Sequence, residues 1–237
     1  MASHDFGDDV FLAPAQGGSL ATVTLPMLED FLSDCEVVHR PPAARRTFRW
    51  FAAVSHEQVA STAPSDLDDA RLLEAAGCTV LAVPCNTAHY FLDQVQEQVG
   101  IPILHMIRET ARLLVSQGRK RPGILATDGT IQTGLYQREF AALGLEPLAP
   151  GPEAQRQIMS LIYDDIKAGK LGDPEKFAAA HQDLIAQGCD CAILACTELS
   201  VFATQHPLST FFIDAMAVLA ERAVQACRKP LRQIHSK

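Results

Sequence analysis

The sequence predicts an α/β protein built from two pseudo-symmetric halves, each with a parallel-sheet core. Three observations carry that expectation. Short apolar runs alternate with segments of helical spacing, the pattern of strand–helix–strand units. Gly or Pro stands at many of the boundaries between them. Two stretches far apart in the chain also echo one another: Gly77 to Thr87 and Gly188 to Glu198 both run from a Gly through an apolar segment to a Cys, with hydroxyl or amide side chains following.

The elements follow in order. Leu67, Ala70, Leu73 and Ala76 share one side of a helix, and Gly77 suits its C-cap. Val80 to Val83 reads as a short buried strand stopped by Pro84. Ala88 to Val99 resumes helical spacing through Phe91, Leu92, Val95 and Val99, and Ile101 to Leu104 is the next strand. Gly123 to Ala126 opens the second half as a strand, followed by a turn at Thr127–Thr130 and a helix. Ile158, Leu161, Ile162 and Ile166 form one helical face that Gly169 ends. Asp173-Pro174 is a helix start, an N-cap followed by Pro at the first helical position. Cys191 to Ala195 and Phe211 to Ile213 are the remaining strands, and Asp214 caps a final helix that runs to about Arg228. Two segments read as loops, Arg40 to Arg46 and Leu148 to Pro152. The expected division is residues 1–105 with 212–237 as one half, the last helix returning to it, and 106–211 as the other.

The chain has 237 residues, 48% hydrophobic and 20% charged, which allows a sizeable core. A net charge of −8 argues against nucleic acid or a membrane surface as partner. No apolar run is long enough for a membrane span, and the first residues lack the basic-then-apolar pattern of a secretory signal. Seven cysteines without the spacing of a disulfide scaffold point to free thiols in a reducing cytoplasm.

The two echoing cysteines, Cys85 and Cys196, fall where a buried strand gives way to a helix. Ligands of open α/β sheets bind outside the carboxyl ends of the strands. A helix N-terminus offers unpaired N–H groups and a positive dipole end, which can hold a carboxylate and lower a thiol pKa. Asn86, Thr87 and Thr197 add side-chain donors at the same places. A carboxylate held there would lie with its Cα between two thiols, a geometry suited to taking a proton from one face and returning one to the other. Cys35, Cys78, Cys189, Cys191 and Cys227 read instead as ordinary core thiols. The spacing of Cys189, Cys191 and Cys196 is not that of paired zinc ligands.

Pro84-Cys85-Asn86-Thr87-Ala88-His89 and Ala195-Cys196-Thr197-Glu198 resemble the two signature motifs of the aspartate/glutamate racemase superfamily. The likeness is to the aspartate racemase and amino-acid racemase branch; glutamate racemases usually carry His after the second Cys-Thr. It extends from about Val10 to the last helix. Ala126 to Thr130 with Tyr136, and Asp214 before the final helix, also match. The resemblance implies two α/β domains related by a pseudo-twofold axis, with the active site in the cleft between them. It implies racemisation without pyridoxal phosphate, metal or nucleotide. Cys85 and Cys196 would be the acid/base thiols. Asn86, Thr87 and Thr197 would hold the α-carboxylate or ammonium, with Thr127 in the same substrate site. Arg46 (in Pro41 to Thr47) and Lys167 (before Gly169) would grip the side-chain carboxylate of aspartate or glutamate, one as a fork and the other as a point charge. His89 reads as a supporting residue rather than a base. Glu198 reads chiefly as a partner of the helix start, with a direct proton role as the less favoured alternative. Relatives of this kind are often dimers, so a homodimer is the expected assembly.

The chain departs from the pattern at Ala15 to Thr22, where a Gly-Gly-Met-Gly-Pro loop usually stands and only Gly17-Gly18 remains. That loop shapes one pocket wall, so the departure bears on side-chain specificity. Two further readings stay open at this level. One is another reaction of the superfamily, of the maleate isomerase, malonate decarboxylase or hydantoin racemase type. The other is an amino-acid-binding homologue without activity.

Overall fold

A computed structural model describes residues 10–12, 48–50, 62–75 and 77–228. Arg46, the Gly17-Gly18 loop and Cys35 lie outside the described residues.

Two parallel sheets organise the chain. The first has four strands in the order β1 (Val10–Leu12), β2 (Phe48–Trp50), β3 (Leu81–Ala82) and β4 (Ile103–Leu104). Leu81 pairs with Arg49 on one side and Ile103 on the other. The second sheet has three strands, β5 (Pro122–Leu125), β6 (Cys191–Leu194) and β7 (Phe212–Asp214). The last strand thus pairs with β6, in register Ile193 to Ile213.

The helices run α1 (Thr62–Ala75), α2 (Leu92–Gln96), α3 (Met106–Ser116), α4 (Asp128–Gln132), α5 (Leu135–Ala141), α6 (Pro152–Ser160), α7 (Pro174–Ala186), α8 (Thr197–Gln205) and α9 (Ala215–Ala226). Their starts obey local chemistry. Asp173 caps α7 by accepting from Glu175 N–H at 2.8 Å with Pro174 next, and Asp214 caps α9 from Met216 N–H at 2.9 Å. Gly77 and Gly188, one before each key strand, both take positive φ, where a side chain would be strained.

Both faces of the second sheet are covered, which is why β6 reads as an unbroken apolar run. Alternation along the strand sends Cys191, Ile193 and Ala195 to one side and Ala192 and Leu194 to the other. The first group packs with α3, α5 and α9 through Met106, Ile107, Tyr136, Phe140 and Leu219. The second packs with α6, α7 and α8 through Ile158, Leu184 and Phe202. A smaller core gathers Ala70, Leu73, Leu81, Val83, Leu92 and Val95 in the first half. Ala82 of β3 belongs to the core of α3 and α9, so first-half and second-half elements share apolar contacts.

Three local forms differ from the sequence expectation. The stretch after Pro84 is a 3₁₀ turn, Thr87–Tyr90, followed by the short α2, rather than one helix to Val99. Helix α4 starts at Asp128, inside the expected turn, because Thr127 caps it. The helix carrying Ile158 to Ile166 changes at Leu161–Ile166 to a π form, with Lys167 N–H bonded to the Ile162 carbonyl at 2.9 Å. Such a one-turn widening recurs at functional sites and rotates the residues that follow it.

Candidate active site

Each sheet delivers one cysteine at its carboxyl edge. Cys85 follows β3 by a short turn and is half-buried. Its neighbour Asn86 is buried and precedes the 3₁₀ turn that Thr87 begins. Cys196 follows β6, in extended backbone, and is the N-cap of α8; Thr197 is the first residue of that helix. Thr127 follows β5 at the same edge, buried, accepting from Thr130 N–H at 3.4 Å.

Side chains of the second half reach the first motif. Tyr136, fully buried on α5, donates to Asn86 Oδ1 at 2.5 Å. That bond leaves the Asn86 amide to present its N–H₂ elsewhere, since a carboxamide has one acceptor and one donor end. The hydroxyls of Thr87 and Thr130 lie 3.0 Å apart, and Thr130 is 3.2 Å from the Thr127 hydroxyl. Three hydroxyls and an amide therefore line the seam between the halves. Burial raises the Tyr136 phenol well above its ordinary range, and negative charge on Asp214, and on Cys196 when it is ionised, pushes it further the same way. Tyr136 thus lies in the field of Cys196 while bonded to the neighbour of Cys85.

A second cluster surrounds Cys196. Its Sγ donates to Glu198 Oε2 at 2.7 Å, and the Thr197 hydroxyl donates to the same oxygen at 3.1 Å. The other oxygen of Glu198, only 5% exposed, lies 3.6 Å from Lys167 Nζ. The Lys167 ammonium also rests 4.4 Å from the centre of the Tyr163 ring, a cation–π contact. The helix N-terminus would lower the thiol pKa, yet burial raises Cys196 well above the usual range. The charge and hydrogen bond of Glu198 add to that rise, and the Glu198 N–H and Lys167 only partly offset it. Desolvation and a carboxylate in contact outweigh half a dipole charge at the helix end.

The structure thus brings Asn86, Thr87 and Thr127 together at one seam, and Cys196, Thr197 and Lys167 around one carboxylate. Arg46 lies outside the described residues. Tyr136 and Thr130 belong to a segment that matches the family pattern, but the sequence gives neither a role in the site. What the tertiary structure adds is that the buried Tyr136 phenol finds its hydrogen-bond partner in Asn86. Ser200 and Asp214 form a neighbouring pair at 2.7 Å, with burial raising the Asp214 carboxyl. No described helix is long and apolar enough to cross a membrane.

Comparison with known proteins agrees with this architecture. A broad specificity amino-acid racemase of Bacillus subtilis is 28% identical over 158 residues, covering 67% of this chain and 69% of that protein. A glutamate racemase of Corynebacterium diphtheriae is 32% identical over 126 residues, 51% of this chain but only 45% of the relative. The chain thus spans less than half of that glutamate racemase. Among solved structures, an aspartate racemase homologue from Pyrococcus horikoshii superposes with a TM-score of 0.73 at 19% identity, covering 93% of this chain and 99% of the other. The aspartate racemase of Picrophilus torridus gives 0.66 at 20% identity, covering 94% and 95%. These likenesses establish the two-domain fold. The family model for Asp/Glu/hydantoin racemases matches residues 25–223, a span that contains both cysteine motifs and both sheets' central strands, and the chain belongs to that family.

Proposed function

We propose that the protein racemises an amino acid, with aspartate or glutamate preferred, by proton transfer at Cα between Cys85 and Cys196 and without a cofactor. The single observation that carries the reading is the Tyr136–Asn86 bond. It ties the residue beside Cys85 in the first half to a buried side chain of the second half, whose sheet carries Cys196.

The two thiols are not equivalent in the substrate-free enzyme. Cys196 is held as a thiol by Glu198, so Cys196 is the acid and Cys85 the base in that form. The Cys85 thiolate takes the α-proton and becomes a thiol. The Cys196 thiol returns its own proton to the opposite face of Cα and becomes a thiolate. Turnover in the other direction reverses both transfers. Asn86, Thr87, Thr127 and Thr197 supply donors for the α-carboxylate, whose charge an enzyme must hold while electron density builds on it. Arg46 and Lys167 bind the side-chain carboxylate of an acidic substrate.

A second reading concerns specificity. Lys167 already has Glu198 as counter-charge, and the Bacillus subtilis relative is named for broad specificity. A pocket that does not depend on a substrate carboxylate would accept neutral side chains as well. A chiral assay across the proteinogenic amino acids, with purified protein and no added cofactor, separates the two. Incubation in D₂O should place deuterium on Cα as optical rotation falls. Cys85→Ala and Cys196→Ala should each lower the rate by ~10³-fold or more, about 4 kcal/mol of barrier. Near-normal turnover by either variant would end the two-thiol reading.

A further inference from the structure

His89 is 2% exposed and belongs to the 3₁₀ turn after Cys85. Its ring bridges two backbone groups. Nδ1 lies 2.7 Å from the Cys85 carbonyl oxygen, and Nε2 lies 2.9 Å from Met106 N–H. A backbone N–H can only donate, so Nε2 accepts. Nδ1 therefore carries the proton and donates to Cys85. One neutral tautomer satisfies both contacts, and neither a doubly protonated ring nor the other tautomer does.

The surroundings hold that ring in place. His105, the N-cap of α3, meets it edge-on at 4.7 Å. Burial first, and the neighbouring His105 second, push His89 down to about 3, so the ring stays neutral. Met106 is itself fully buried at the start of α3, in the core shared with α5 and α9. Two residues on, Arg108 binds Asp93 through both oxygens at 2.7 Å, and binds Glu139 at 2.7 Å and 3.2 Å. Asp93 lies on α2 and Glu139 on α5, so this end of α3 is fastened to elements on both sides of the seam.

We propose that His89 is a positioning residue for Cys85: its Nδ1–H holds the Cys85 carbonyl and so orients the Cys85 peptide and Sγ against the first turn of α3. Cys85 lies between a strand and a 3₁₀ turn, outside both, so no regular ladder fixes its peptide plane. Anchoring its carbonyl to a buried ring, and the ring to the α3 backbone, gives the thiol a fixed approach to Cα. A displacement of about 1 Å at a reacting atom can cost ~10²-fold in rate. This inference rests on the two-thiol reading above.

The test uses three replacements that keep different halves of the bridge. His89→Asn keeps a donor near the Nδ1 position, His89→Gln keeps a polar group near Nε2, and His89→Phe keeps neither. Asparagine should retain kcat within about threefold of the wild type, while Gln and Phe should fall by ~10²-fold with KM little changed. With α-deuterated substrates of each hand, the Gln variant should show an enlarged isotope effect in one direction only, that in which Cys85 takes the proton. A merely structural histidine would not produce this asymmetry. Thermal midpoints of Asn and Gln variants compared together separate positioning from folding. The proposal is overturned if Gln outperforms Asn, if both lose activity in parallel with stability, or if both directions change alike. Absence of racemisation in the wild type would instead overturn the two-thiol reading itself.

Discussion

Glu198 Oε2 accepts a hydrogen bond from Cys196 Sγ at 2.7 Å, two residues along the same chain, while its Oε1 faces Lys167 at 3.6 Å. A carboxylate in that position keeps the thiol protonated. Removing its charge should release the thiol. Glu198→Gln is expected to shift the pH at which Cys196 becomes alkylated downward, followed by mass spectrometry of the Cys196 peptide, with the Cys85 peptide as internal control. Racemisation should fall by ~10²- to 10⁴-fold, the ordinary range for losing an acid/base partner. An unchanged alkylation profile would show that Glu198 does not hold the proton.

The Tyr136 hydroxyl secures Asn86 from across the seam. Tyr136→Phe leaves Asn86 Oδ1 buried without that donor, at a cost of about 1–3 kcal/mol. Since Asn86 is expected to bind the substrate carboxylate, KM should rise ~10-fold. Steady-state kinetics with aspartate and glutamate measure it, and a KM within twofold of wild type would remove Asn86 orientation as the role of Tyr136.

Acid should unfold the protein through two histidines. An unfolded histidine binds its proton near pH 6.5, whereas burial lowers His89 to about 3 and His105 to about 4. Between those values and 6.5 the unfolded chain binds more protons than the folded one. Stability from this source is therefore complete above pH 6.5 and is lost as pH falls toward 4. The slope is at most about 1.4 kcal/mol per pH unit for each histidine. Asp214, raised by burial, acts in the opposite sense at the acid end. Urea midpoints at pH 7.5, 5.5 and 4.5 should decline, and His105→Asn, which can still cap α3, should flatten the decline by about half.

Gly172 closes the segment between Lys167 and α7. A Cβ there would fall 2.5 Å from Phe202 Cδ2, 2.9 Å from Ile166 Cδ1 and 3.0 Å from Leu161 Cδ1. Phe202 cannot move freely, because it stacks on Phe177 with ring centres 4.6 Å apart. Gly172→Ala should destabilise by about 1–3 kcal/mol, measured by thermal or urea unfolding. The π turn before Lys167 should loosen as Ile166 and Leu161 are displaced.

Much of this was legible beforehand because it is written locally. The strand before Cys196 needed only its apolar run between Gly188 and Thr197, and α7 needed only Asp173-Pro174 as cap and first residue. The 3₁₀ turn after Cys85 and the π turn before Lys167 were not legible in this way. Both have the apolar spacing of a helix, and what changes the winding is packing against other elements. The state of the Cys196 thiol is likewise not written locally. A helix end promises a lowered value, and a buried carboxylate two residues on reverses it.

By itself, the sequence determined the α/β class, the strand-end placement of Cys85 and Cys196, and the family, because strand periodicity, caps and motif spacing all act over a few residues. The tertiary structure alone decided that Tyr136 reaches Asn86, that Thr87 meets Thr130, and that His89 links Cys85 to α3. Most of those contacts join residues far apart in the chain. They form only when the apolar faces of both sheets are buried together, and no local pattern encodes which polar groups then meet.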